Sequence, residues 1–160
     1  MGNLEGNVIS NNIKQIIYCR YDDDIFVVIK DEAELLTLKK TLEKSSVLKF
    51  TYKLGVDQKI PFLDVDVENN GGAFVTSIYN KPTDSGHCLN AQSECPERYK
   101  TSVIRSNIRR AYEVCPSWDL FHKETNRTGQ VLINNGYSNT RIDEEFNTYL
   151  NQQQDDKNKH

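Results

Sequence analysis

Tyr21-Asp22-Asp23-Asp24 stands between two apolar, β-branched runs, Ile13-Lys14-Gln15-Ile16-Ile17-Tyr18 before it and Ile25-Phe26-Val27-Val28-Ile29 after it. Both runs have the length and composition of buried strands. The polar stretch between them then becomes the tip of a β-hairpin. Three adjacent carboxylates at such a tip repel one another unless a cation or solvent compensates. A divalent ion is the functional explanation, Mg²⁺ above all, because it prefers carboxylate oxygens. A solvated acidic turn is the alternative.

Outward from the hairpin, Asp31 is an N-cap acid followed three residues later by Glu34, a capping arrangement. Leu35, Leu36, Leu38 and Leu42 supply the apolar face of a helix to about Lys44, and Ser45-Ser46 breaks it. Leu48, Phe50 and Tyr52 alternate with Lys49, Thr51 and Lys53, which predicts a half-buried strand. Gly55 and Asp57-Gln58-Lys59 form a turn. Leu63, Val65 and Val67 alternate with Asp64 and Asp66 in the next strand. Asn69-Asn70-Gly71-Gly72 tolerates positive φ and makes a hairpin turn before Phe74, Thr76 and Ile78. The first half is therefore antiparallel, in the order β-α-β-β.

Lys81-Pro82-Thr83-Asp84-Ser85-Gly86 reads as a linker, with a subdomain boundary between residues 80 and 81. The rest is helical. Pro96 suits a helix start; Ile104, Ile108, Ala111 and Cys115 fall on one face, and Pro116 stops the helix. Ser117 caps a second helix running past Leu120 and Phe121 to Leu132 and Ile133, with Gly136 at its exit. Ile142, Phe146, Tyr149 and Leu150 mark a third. Tight turns between three short helices predict a small bundle or a helix-turn-helix-like unit. Residues 1–12 and 151–160 are polar and predicted to be disordered. The fold class is α+β: an antiparallel β portion with one helix, then a three-helix bundle.

A chain of 160 residues, 37% hydrophobic, suits one modest domain or two small subdomains. It has no stretch long and apolar enough to span a membrane and no basic, apolar signal sequence at its start. Cys19, Cys88, Cys95 and Cys115 lie at unrelated spacings and read as reduced thiols of an intracellular protein, nuclear or cytoplasmic and not secreted. His87, Cys88, Cys95, Cys115 and His122 fit no zinc-finger spacing. The net charge is −3, but basic residues concentrate between Arg98 and Arg110. Arg98, Arg105 and Arg109 share one helical face, with Lys100 and Arg110 on its flanks. Such a stripe contacts phosphates without reading bases; a solvated basic face is the alternative.

Cys19-Arg20-Tyr21-Asp22-Asp23-Asp24-Ile25-Phe26 resembles the Tyr-x-Asp-Asp active-site hairpin of reverse transcriptases, most closely the Penelope-like retroelement group. Phe50-Thr51-Tyr52, Ile60-Pro61-Phe62-Leu63-Asp64-Val65, Tyr79-Asn80-Lys81-Pro82-Thr83 and Asn135-Gly136-Tyr137 follow in the order that family uses, so the resemblance covers roughly residues 13–143. It implies a partial palm over 13–80 and a helical thumb or helix-turn-helix-like subdomain over 81–150. It also implies an RNA-directed DNA polymerase that uses Mg²⁺ and deoxynucleotides on an RNA template with a DNA primer. Asp23 and Asp24 would be its catalytic metal ligands, Tyr21 would pack near the primer end, and the Arg98 helix would contact the RNA–DNA hybrid. Asp22 stands where the family usually has a small or apolar residue. The family's upstream metal-binding aspartate and fingers have no counterpart before Tyr21, so the chain alone is expected to lack useful polymerase activity. The alternative reading is a non-catalytic nucleic-acid-binding module built on the helix-turn-helix-like half. Oligomeric state is not legible.

Overall fold

The computed structural model describes residues 17–157. The expected disordered lead, residues 13–16 of the first apolar run, and residues 158–160 lie outside it. The chain divides after Gly55 into two compact units.

In the first unit, β1 (Ile17–Tyr21) pairs antiparallel with β2 (Asp24–Val28) in the register Ile17 to Val28 and Tyr21 to Asp24. Helix α1 (Glu32–Lys44) starts where the sequence places it. Asp31 caps it by accepting from Glu34 N at 3.0 Å, and Glu34 reaches back to Lys30 N at 3.1 Å. Of the four leucines only Leu38 is buried, and Leu36 is exposed. The predicted strand at 48–52 does not form. Alternation marks a face, but a strand needs a ladder partner, and among the described residues this segment pairs with none. It folds onto α1 instead: Phe50 N donates to Glu43 at 3.0 Å, Tyr52 OH donates to Glu32 at 3.0 Å, and Lys39 lies over the Tyr52 ring.

The second unit begins with a three-stranded antiparallel sheet, β3 (Lys59–Phe62), β4 (Val65–Asn70) and β5 (Ala73–Ile78). Its turns use the residues that permit them. Asp57 and Gln58 have positive φ, as do Gly71 and Gly72, where Asn69 Oδ1 accepts from Gly72 N at 2.9 Å. Leu63 also has positive φ (57°), a strained position for a branched side chain, in the two-residue link between β3 and β4.

Three helices follow: α2 (Glu97–Val114), α3 (Trp118–Asn134) and α4 (Asn139–Lys157). Ile104, Ile108, Ala111 and Cys115 are all buried, as their spacing requires, together with Phe121, Leu132, Tyr137 and Ile78 of β5. Contacts between α2 and α4 advance in one direction, Glu97 with Arg141, Arg105 with Glu145 and Tyr112 with Tyr149, so these helices run parallel. Helix α3 joins them in the chain and packs against both.

Two boundaries differ from expectation. The sheet groups with the helices, so the division falls after residue 55 and not at 80/81. The cause is packing: Ile78 enters the helical core, and Thr76 Oγ1 donates to Val114 O at 2.6 Å. The tail expected to be disordered from 151 is helical through Lys157. Tyr149 and Leu150 pack on the core, and the Asn/Gln run after them extends a helix already nucleated.

Candidate nucleic-acid interface and acidic hairpin

At the hairpin tip, Tyr21 pairs with Asp24 and leaves Asp22-Asp23 as a two-residue loop. Asp22 has φ 52°, a conformation aspartate tolerates better than most residues, and its carbonyl accepts from Arg20 Nε at 2.7 Å. Tyr21, Asp22, Asp23 and Asp24 are all exposed. Among the described residues no group of three His, Cys, Asp or Glu side chains gathers to hold a metal. The tip thus offers the neighbouring carboxylates of Asp23 and Asp24, open to water.

The basic residues of α2 do not form the uniform stripe their spacing suggests. Arg98 is exposed, with its guanidinium 4.9 Å from the Tyr99 ring centre and bonded to Tyr99 OH. Arg109 is exposed and paired with Glu113 on its own helix at 2.7 Å; that carboxylate holds the guanidinium's pKa above its ordinary value. Arg105 crosses to α4 and bonds Glu145 at 2.6 Å, so it ties the bundle together. Arg110 points to the sheet and donates to Asp64 O at 3.1 Å. Lys100 is buried and bonds Glu97 at 2.8 Å. Lys100 is therefore not on the exposed basic face of α2: it lies buried, and its ammonium is turned to Glu97 of the same helix. Glu97 also accepts from Arg141, and the bond from Lys100, then that from Arg141, lowers its carboxyl pKa. Residues 87–147 contain eight basic and eight acidic side chains, which leaves local placement to decide any field.

The link between α3 and α4 is closely specified. Gly136 has φ 88°, its N–H bonds Ile133 O at 2.9 Å, and Tyr137 N bonds Leu132 O at 3.1 Å. This is a Schellman closure, with Leu132 and Tyr137 both in the core. Ser138 Oγ then accepts from Arg141 N at 3.3 Å and starts α4. The turn also clamps the loop before α2. Asn135 is buried; its Nδ2 donates to Gly86 O and Val131 O, both at 2.8 Å, and its Oδ1 accepts from Cys88 N at 3.3 Å. Tyr137 OH donates to Leu89 O at 2.9 Å. The sequence marked Asn135 and Tyr137 only as part of a motif in the family resemblance; partners nearly fifty residues away carry no local signal.

On α3, Glu124 and Thr128 are buried, and Glu124 holds Arg127 through three bonds of 2.7–3.2 Å. All four cysteines are free. Burial pushes the Cys88 and Cys115 thiols up, away from the reactive thiolate. Among the described residues no helix is long and apolar enough to cross a membrane.

No curated protein and no solved structure matches the chain. Residues 87–147, which take in the end of the loop before α2, all of α2 and α3 and the first half of α4, match the family model of the animal helix-turn-helix domain, and it is to that family that this part of the chain is similar.

Proposed function

We propose that residues 87–147 act as a nucleic-acid-binding helix-turn-helix module carried on the β3–β5 sheet. The observation that carries this is the coincidence of the family match with three packed helices, the last two joined by the four-residue Gly136 turn. Arg98 and Arg109, exposed on α2, are its outer phosphate contacts. Arg105 contributes less, because Glu145 already holds it. The acidic residues of the module offset much of this charge, so affinity is micromolar or weaker, on the order of non-specific binding. The test is binding of the full chain to a DNA duplex and an RNA–DNA hybrid across salt concentrations. An Arg98→Ala/Arg109→Ala change should flatten the slope of log K against log salt by roughly two units, with little dependence on sequence. Equal affinity and slope for both proteins would leave α2 a solvated face.

The finer reading makes this module the helical end of a Penelope-like reverse transcriptase whose palm hairpin is β1–β2. The Tyr21-Asp22-Asp23-Asp24 tip supports it, since β1 and β2 pair on either side of it and leave Asp23 and Asp24 exposed. Mg²⁺ commonly keeps several waters and takes one or two carboxylates plus substrate phosphates, and these two residues suit that role. When bound, such an ion stabilises charge during phosphoryl transfer. Asp23 and Asp24 would hold it, and the RNA–DNA hybrid and deoxynucleotides belong to this reading. Mn²⁺ added to the isotope-labelled chain should broaden amide signals at 22–24 first, and weakly. Broadening centred on Asp64 and Asp66 instead would reject the hairpin as the ion's site.

A further inference from the structure

The segment 79–88 does more than connect β5 to α2. It walls a cleft whose opposite side is the groove between α2 and α3, with Arg110 on one helix and Arg127, Thr128 and Val131 on the other. The cleft measures about 410 Å³ and continues into a second lobe of about 340 Å³ towards Asn134 and Asn135. Volumes of this size hold small ligands.

Its chemistry is that of an anion site. Lys81, His87, Arg110 and Arg127 line it, against Asp64 and Asp84. The guanidiniums are held from behind. Glu124 occupies Nε and Nη2 of Arg127, and Nη2 of Arg110 donates to the Asp64 carbonyl with the Asp64 carboxylate 3.9 Å away, so Nη1 of both and Nε of Arg110 remain as donors for a ligand. The Lys81 ammonium makes no ion pair among the described residues. Three of the four buried polar side chains of the described residues, Glu124, Thr128 and Asn135, line this cleft or stand directly behind it. Buried polar groups persist only where bonding compensates their desolvation. Here Asn135 compensates by fixing Gly86 and Cys88, and so sets the wall that carries Lys81 and His87.

We infer that this cleft takes a phosphate group of a single-stranded nucleic-acid backbone. The inference rests on the nucleic-acid reading of residues 87–147 and assigns that reading a site distinct from the outer face of α2. Fork-shaped guanidinium donors and an ammonium are the groups that bind phosphate through charge-assisted bonds. A recessed cleft suits a strand flexible enough to lower a phosphate into it, whereas a duplex is a stiff rod. Asp84, whose carboxylate accepts from Gly86 N at 3.0 Å, opposes the ligand's charge and keeps the affinity modest.

The experiment uses the full chain and a labelled single strand of about 15 nucleotides, the matching duplex, and inorganic phosphate. Lys81→Ala, at an exposed loop position, should weaken strand binding about fivefold and reduce the salt slope by about 0.7. Asp84→Asn, which keeps the turn-forming acceptor, should strengthen it. Duplex affinity should not respond to Lys81→Ala, and inorganic phosphate should shift the amides of 81–88 only at far higher concentration than the strand does. Unchanged strand affinity and slope in Lys81→Ala, with the salt slope still flattened in Arg98→Ala/Arg109→Ala, would overturn the cleft and leave the module reading standing. Inorganic phosphate binding as tightly as the strand would overturn the assignment to a nucleic-acid backbone. Failure of the wild-type chain to bind any strand or duplex would remove the module reading, and this inference with it.

Discussion

Phe121→Ala is expected to lower the unfolding free energy of the helical unit by about 4 kcal/mol. Phe121 is 2% exposed and stands where all three helices meet. Its ring stacks on Phe146 of α4 at 5.7 Å and meets Tyr112 of α2 edge-on at 6.0 Å and Trp118 at 5.4 Å. Truncation removes the buried ring and leaves a cavity that three helix backbones must close on to fill. A domain of this size has about 5–15 kcal/mol of stability in total, so the variant should approach the edge of folding. Trp118→Ala is the control. Trp118 is 59% exposed and touches the same cluster from outside, so its loss should amount to about 1 kcal/mol. Urea denaturation of the two variants checks the contrast; a Phe121→Ala loss no larger than that of Trp118→Ala would mean the ring is not the bundle's centre.

Asn135→Ala should destabilise the same unit by about 2–3 kcal/mol, although it removes only a small polar group. The change orphans Gly86 O and Cys88 N, both held by the Asn135 side chain. An unmet backbone group in a partly buried setting forfeits its desolvation free energy without a partner in return. The effect has a local signature. Ala91 N bonds the main-chain carbonyl of residue 135 at 2.9 Å, which alanine retains. Hydrogen exchange should therefore accelerate at the Cys88 amide and remain slow at Ala91. Equal loss of protection at both amides would show that the side chain is not what holds the loop, and would weaken the case for a preformed cleft wall.

Much of the fold was legible because its signals are local. Asp31 caps α1, Pro96 and Cys115-Pro116 bound α2, Ser117 caps α3 and Gly136 ends it, each at the position read from the chain. The turn at 69–72 and the hairpin at 21–24 form for the same reason: their residues accept the backbone angles required. The candidate sites were less legible. Helical periodicity puts Arg98, Arg105 and Arg109 on one face, but it could not say that α4 would engage part of it. Arg105 meets Glu145 forty residues later, and Lys100 is buried. A change at Arg105 therefore disturbs the bundle as well as any ligand, which is why Arg98 and Arg109 make the cleaner binding test.

By itself the sequence determined the α+β class, the positions of the helices and their caps, the exposed Asp23-Asp24 hairpin tip and the apolar face of α2, because each depends on residues within a turn or two of one another. The tertiary structure alone decided that the segment at 48–52 would fold onto α1, that the β3–β5 sheet would join the helices, and that α4 would run parallel to α2. It also decided which cations stay on the surface and which gather with the 79–88 loop around a cleft. Those outcomes depend on what covers each apolar face and on the direction in which packed helices run, and neither is encoded in the spacing of residues along a single element.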